Sequence, residues 1–100
     1  MAEYYLELSL QELCDAMEMP EQMCFELVEH GILAPRGGVP DDWIFDLHMV
    51  GIARRATRLH RDLALDWSAV ALVVDLLEQR DILRLENRLL QQRLGRFLED

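Results

Sequence analysis

Residues 66–99 read DWSAVALVVDLLEQRDILRLENRLLQQRLGRFLE, and this stretch decides the fold. It predicts one long amphipathic helix. No Gly or Pro interrupts it before Gly95, and its middle is built from Leu, Gln, Arg and Glu, all good helix formers. At the helical rise it spans roughly 50 Å, more than a domain of this size needs to bury one face. Leu76, Leu83, Leu90 and Phe97 recur every seven residues, and Val73, Arg80, Asn87 and Leu94 precede them by three. That is a heptad seam, with the Leu/Phe series at d and a mixed series at a. Asn at an a position fixes register and oligomer state at some cost in stability. Ile82, Leu85 and Leu89 form a second apolar line on another face. A helix apolar on two faces and longer than its domain must meet something besides that domain. The seam residues Val73, Leu76, Leu83, Asn87, Leu90, Leu94 and Phe97 are therefore expected to mediate self-association, as a homodimer.

Working outward, 100 residues make one folded unit with a helical extension. A chain of this size hides roughly two thirds of its surface on folding, enough for a modest core without disulfide staples. The two cysteines, Cys14 and Cys24, form no CxxC pair and each sits at an apolar helix position, so they read as small core residues. The acidic, aromatic N-terminus lacks the basic region of a signal peptide. The charge-free run Trp67 to Val74 is too short to span a bilayer. These features predict a cytoplasmic protein without a membrane segment. Charge separates the two halves. The net charge is −9 and there is no lysine; residues 1–50 hold eleven acids against Arg36 alone, and residues 51–100 hold eight acids against nine arginines. An acidic half repels phosphate and suits a basic protein partner, which disfavours direct nucleic-acid binding there.

In chain order, Tyr4 to Leu8 predicts a short strand ending at Ser9. Ser9 and Glu12 form a capping box for a helix carrying Leu10, Leu13, Cys14 and Met17. Met19-Pro20 breaks it, and Pro20 suits the first position of a second helix, with Glu21 facing the positive end of its dipole. His30 and Gly31 stop that helix. Two short helices and a tight turn make a helix-turn-helix. Ile32 to Arg36, the Gly37-Gly38 and Pro40-Asp41-Asp42 turns, and a returning strand Trp43-Ile44-Phe45 then read as a wing. Asp46 caps a third helix running to about Ala64, with Met49, Ile52, Ala56, Leu59 and Leu63 along one face and Arg54, Arg58 and Arg61 on another. The fold class is mainly α: a winged helix-turn-helix-like unit over residues 1–65, then a long C-terminal interaction helix over 66–100 that packs on the same unit at its start.

No catalytic constellation is expected. His30, His48 and His60 lie on different elements with no second ligand at i+4, so neither a metal nor a cofactor is implied. Of the two serines, Ser9 is a cap and Ser68 lies in the opening turn of the last helix; no nucleophile has a base. Arg54, Arg58 and Arg61 could contact phosphate, or serve as a solvated face that offsets the acids. The second helix occupies the place of a DNA-reading helix, yet it carries Glu21, Glu26 and Glu29, with Gln22 as its sole candidate base reader. Phosphate would repel it from both walls of the major groove. The candidate partner-binding residues are Glu18, Glu21, Glu26, Glu29, Asp41 and Asp42 around an apolar anchor at Phe25. The second apolar line, Ile82, Leu85 and Leu89, is the competing docking surface.

The order strand, helix-turn-helix, wing, helix and long helix resembles the MerR class of winged-helix proteins, and Glu29 to Arg36 looks like the link from recognition helix to wing in that class. That class usually places Arg and Tyr in the recognition helix, where this chain has Cys24, Phe25 and Glu26. A closer resemblance is to the chaperone-modulator family CbpM. It rests on Trp43-Ile44-Phe45-Asp46, Leu63-Ala64-Leu65-Asp66-Trp67 and Glu86 to Leu94, and covers nearly the whole chain. Ser68 departs from the family, which often has Pro there; Pro is favoured at the first helical turn but not required. The resemblance implies binding to the J domain of a CbpA/DnaJ-like co-chaperone and inhibition of its stimulation of DnaK. The alternative is a MerR-type DNA-binding regulator using Arg54, Arg58, Arg61 and the wing.

Overall fold

The computed structural model describes residues 6–99. Strand β1 (Glu7–Leu8) leads into helix α1 (Leu10–Met17), and helix α2 (Glu21–Glu29) follows a three-residue break. A single 3-10 turn covers Pro40–Asp42, strand β2 covers Phe45–Asp46, helix α3 covers Leu47–Asp62, and helix α4 covers Trp67–Glu99.

Each boundary has a local cause. The capping box at α1 is complete: Ser9 Oγ accepts from Glu12 N at 3.1 Å and Glu12 Oε1 accepts from Ser9 N at 2.9 Å. Glu18 closes α1 in the left-handed region (φ 53°). Pro20 stands one place earlier than expected, at the N-cap of α2, and offers no side-chain cap. Gly31 (φ 73°) supplies the left-handed residue that turns the chain after His30. Asp46 Oδ1 accepts from Met49 N at 2.9 Å to start α3, and Asp66 Oδ1 accepts from Ala69 N at 2.8 Å to start α4.

The wing is smaller than the sequence suggests. β2 pairs antiparallel with β1 (Glu7 with Asp46, Leu8 with Phe45), so the returning strand is joined to the N-terminal strand. Its tie to the segment after α2 is a single bridge between Arg36 and Ile44. The 3-10 turn takes up the intervening residues, and Gly37 (φ 112°) permits it, because a Cβ there would collide with the Asp42 carbonyl. Tyr4 and Tyr5, expected in the first strand, lie outside the described residues. α3 ends at Asp62, two residues short of the expected end, and Leu63 is 61% exposed rather than part of the apolar face. Ala53, not singled out from the sequence, is fully buried beside Ala56. Two alanines permit a close approach of α3 to its neighbours.

One apolar cluster binds these elements. Leu10, Leu13 and Cys14 come from α1, Cys24 and Leu27 from α2, and Ile32 and Leu33 from the link. Phe45 comes from β2, Ala53 and Ala56 from α3, and Val70 and Val74 from the first turns of α4. Beyond Glu78 every described residue of α4 is exposed. Phe45 is the largest of the fully buried side chains. Phe45→Ala should therefore cost about 3–5 kcal/mol, and Asp46→Ala, which removes one cap, about 1 kcal/mol. Urea unfolding followed by circular dichroism measures both; similar losses for the two variants would contradict this assignment of the core.

Candidate protein-docking surfaces

The sequence-nominated residues fall on two separate surfaces, and the first is acidic. Glu21 lies exposed in the first turn of α2 and Glu29 exposed at its end. Glu26 is half-buried, with its carboxylate 3.7 Å from His30 Nδ1, and that ring nitrogen also lies 3.0 Å from the Glu26 carbonyl oxygen. Asp41 and Asp42 are exposed in the 3-10 turn. The Phe25 ring meets Trp43 edge-on, with centroids 5.7 Å apart, and Trp43 meets Phe45 in the same way at 6.2 Å. Trp43 directly follows the Asp41-Asp42 pair, so the aromatic contact draws the turn acids towards α2. Phe25 is half-buried in that contact and is not a free-standing anchor. Arg36, the sole cation of the first fifty residues, is committed to Glu7 through a 2.8 Å bond from Nη2 to Oε1. Among the described residues, Glu18, Glu21, Glu29, Asp41 and Asp42 have no ion-pair partner.

The second surface is the distal half of α4. Leu76, Leu83, Leu90, Leu94 and Phe97 are all exposed, Phe97 at 76%. Ile82, Leu85 and Leu89 are exposed as well. Val73 is half-buried near the core and Asn87 is exposed. Contact between α3 and α4 is confined to the base of the long helix, where His48 stands 3.9 Å from Glu78 and Arg55 3.7 Å from Asp81.

A third feature escaped the sequence reading. Met17, Met19 and Met23 line a cavity of about 730 Å³ together with Leu65, between the α1–α2 break and the α3–α4 connection. The cue was three methionines within seven residues, but periodicity assigned two of them to helix stripes. The connection is held firmly. His60 stacks on Trp67 (centroids 3.9 Å, planes 12° apart), and its Nδ1 lies 2.7 Å from the Leu65 carbonyl oxygen.

The MerR HTH family regulatory protein profile matches residues 8–92. A chaperone modulatory protein CbpM from Pseudomonas putida is 42% identical over 94 residues, covering 94% of this chain and 93% of its own length. Proteins of the same name from Citrobacter koseri and Salmonella paratyphi A are 41% and 39% identical over 91 and 98 residues, in each case at least 90% of either chain. The chain belongs to the CbpM family. Its MerR-like architecture is thus that of a family named for modulating chaperones. Among the described residues of this CbpM-family chain, no helix is long and apolar enough to cross a membrane.

The cysteines of this CbpM-family chain pack α1 against α2. Burial pushes the Cys24 thiol up to about 12, with the neighbouring Cys14 adding to the shift, and burial also raises Cys14. A thiol whose folded-state pKa is raised keeps its proton longer folded than unfolded, so its contribution is intact below the unfolded value near 9. Stability should fall as pH rises from about 9 and level off near 12, and Cys24→Ala should flatten that slope in a series of urea melts. An unchanged slope would place its origin elsewhere.

Proposed function

We propose that this protein binds the J domain of a CbpA/DnaJ-like co-chaperone and keeps that domain from stimulating DnaK. The observation that carries the reading is the acidic surface of α2 and the 3-10 turn, where Glu21, Glu29, Asp41 and Asp42 have no ion-pair partner among the described residues and Glu26 lies beside His30 alone. It stands where a DNA reader would present Arg, Lys, Asn or Gln. A J domain offers a basic helix to DnaK, so an acidic competitor meets it with complementary charge. The names of the related proteins agree with a chaperone-type partner. The reading as a DNA-binding regulator rests on Arg54, Arg58 and Arg61, which are exposed on α3. Three cations on a protein of net charge −9 give little phosphate affinity at physiological salt.

We also propose that the protein acts as a homodimer through α4. The heptad favours an antiparallel pairing in which Asn87 meets Leu90 of the second copy and Leu83 meets Leu94. Arg80 then lies against Phe97, a cation–π layer. In that register the flanking Glu86 faces Arg93 twice. A slip of one heptad would set Glu86 against Glu86 and Arg84 against Arg84, so charge selects the register. A parallel pairing would instead put Arg80 against Arg80.

Individual exposed ion pairs are weak, roughly 0.2–1 kcal/mol each, and several together mainly raise the association rate. Calorimetric and stopped-flow titrations with a J domain should show a Glu21→Lys/Glu26→Lys variant binding more slowly and more weakly at low salt. The difference should shrink at high salt. An unchanged association rate would move the docking site to Ile82, Leu85 and Leu89. A gel shift with duplex DNA should show no submicromolar complex at physiological salt. Light scattering should give a dimer for the parent and a monomer for Leu83→Asp, which would bury an unpaired charge in the seam. A parent that is monomeric at the same concentration would remove the dimer.

A further inference from the structure

The arginines of α3 meet at a hollow without acids. Arg54, Arg58 and Arg61 stand at i, i+4 and i+7, on one face of that helix, and all three are exposed. With Thr57, and with Ala16 and Met17 from the end of α1, they line a hollow of about 180 Å³, and no carboxylate lines it. The Thr57 hydroxyl lies 2.9 Å from the Ala53 carbonyl oxygen and 3.1 Å from that of Arg54, so its proton is already engaged. The free side-chain donors of the hollow are therefore guanidinium groups. Among the described residues, Arg54 and Arg58 have no ion-pair partner, and Arg61 is paired with the adjacent Asp62 at 3.1 Å.

The rest of the chain handles its cations differently. It holds nineteen acids against ten arginines, so a carboxylate is easily found. Arg36 meets Glu7, and Arg55 and Arg80 both meet Asp81. Arg84 and Arg88, a second i, i+4 pair, share their hollow on α4 with Asp81, which offsets their charge. The α3 hollow has no such residue. Like charges at i, i+4 repel one another, and an anion placed between them relieves the repulsion. A guanidinium group presents its donors in a rigid fork that matches a carboxylate with two parallel bonds. Half-buried Met17 adds apolar surface on which the methylene stem of an acidic side chain can lie.

We propose that the α3 hollow is a second docking site, which takes an acidic segment of a protein partner through its carboxylates. The spacing suits a helical segment. Carboxylates at i and i+4 are about 6 Å apart along a helix axis, the same rise that separates Arg54 from Arg58, so two pairs form at once. Duplex nucleic acid fits less well. It carries one charge per roughly 1.7 Å of axis and would run on past the hollow. There it meets Asp15 and Glu18, whose exposed side chains adjoin Ala16 and Met17 in the chain. A short acidic segment engages the arginines without that repulsion. The site stands apart from the J-domain reading, because the acids of α2 attract a basic element and the arginines of α3 an acidic one.

The test uses isotope-labelled arginine in the full chain, observed by NMR at physiological salt. The probes are a helical peptide carrying Glu at i, i+4 and i+7, its Gln counterpart, and a short DNA duplex. The Nε–H signals of Arg54, Arg58 and Arg61 should shift with the Glu peptide and stay in place with the Gln peptide. Those of Arg84, Arg88, Arg93 and Arg96, exposed on α4, should shift much less. Arg58→Gln should weaken the binding several-fold. Arg54→Lys/Arg58→Lys keeps the charge but loses the forks, and should weaken it too. Both variants change exposed side chains, so the melting temperature of the free protein should hold. Shifts spread evenly over the arginines of α3 and α4, or no shifts at millimolar peptide, would overturn the site. A Lys variant that binds like the parent would overturn it as well. Larger shifts on α3 with the duplex, at equal concentration of charge, would replace the protein segment by nucleic acid. The shifts are read on the parent chain, so a poorly folding variant would not spare the proposal.

Discussion

The structure depends on how α4 shares itself between two environments. Its first turns give Val70 and Val74 to a core that also holds Phe45, Leu13, Leu27 and Leu33. Its remaining turns give nothing to that core. Without Val70 and Val74 the α3 face carrying Ala53 and Ala56 would lack apolar cover, and small side chains cannot close a core alone. The long helix is therefore structural at its base and available at its tip. The boundary falls near Glu78, where the approach of His48 to Glu78 and the ion pair of Arg55 with Asp81 replace apolar contact.

The elements of this fold were legible where local chemistry specifies them. The Ser9–Glu12 box, the Asp46 cap and the His30-Gly31 stop can each be read from a few adjacent residues, because capping depends on side chains within one turn. What lay hidden was non-local. Nothing within Trp43-Ile44-Phe45 tells that its continuation pairs with Glu7–Leu8 rather than mainly with the segment ending at Arg36. Leu63 fits the apolar repeat of α3, but the helix stops one residue before it and the side chain turns to solvent. Phe25 stands off the stripe of its own helix and so looks available; only the tertiary structure shows Trp43 against it.

The same distinction governs the docking surfaces. Charge counting along the sequence located the acidic surface, since net charge is a sum that needs no geometry. The methionine groove could not be found that way. It is assembled from the α1–α2 break with its flanking turns and from the α3–α4 connection, about forty residues further along the chain.

The unbroken course of α4 has a mechanical consequence. Its 33 residues run as one helix from beside the core to Phe97 and beyond, with Gly95 as its sole glycine. A rod of this kind, roughly 50 Å long at the helical rise, acts as a lever. A rotation of a few degrees where Val70 and Val74 are seated would carry the far end through several ångströms. Any movement of the connection that bears Leu65 and Asp66 therefore acts at the fulcrum, and a small adjustment there would be delivered, enlarged, to the opposite end of the molecule.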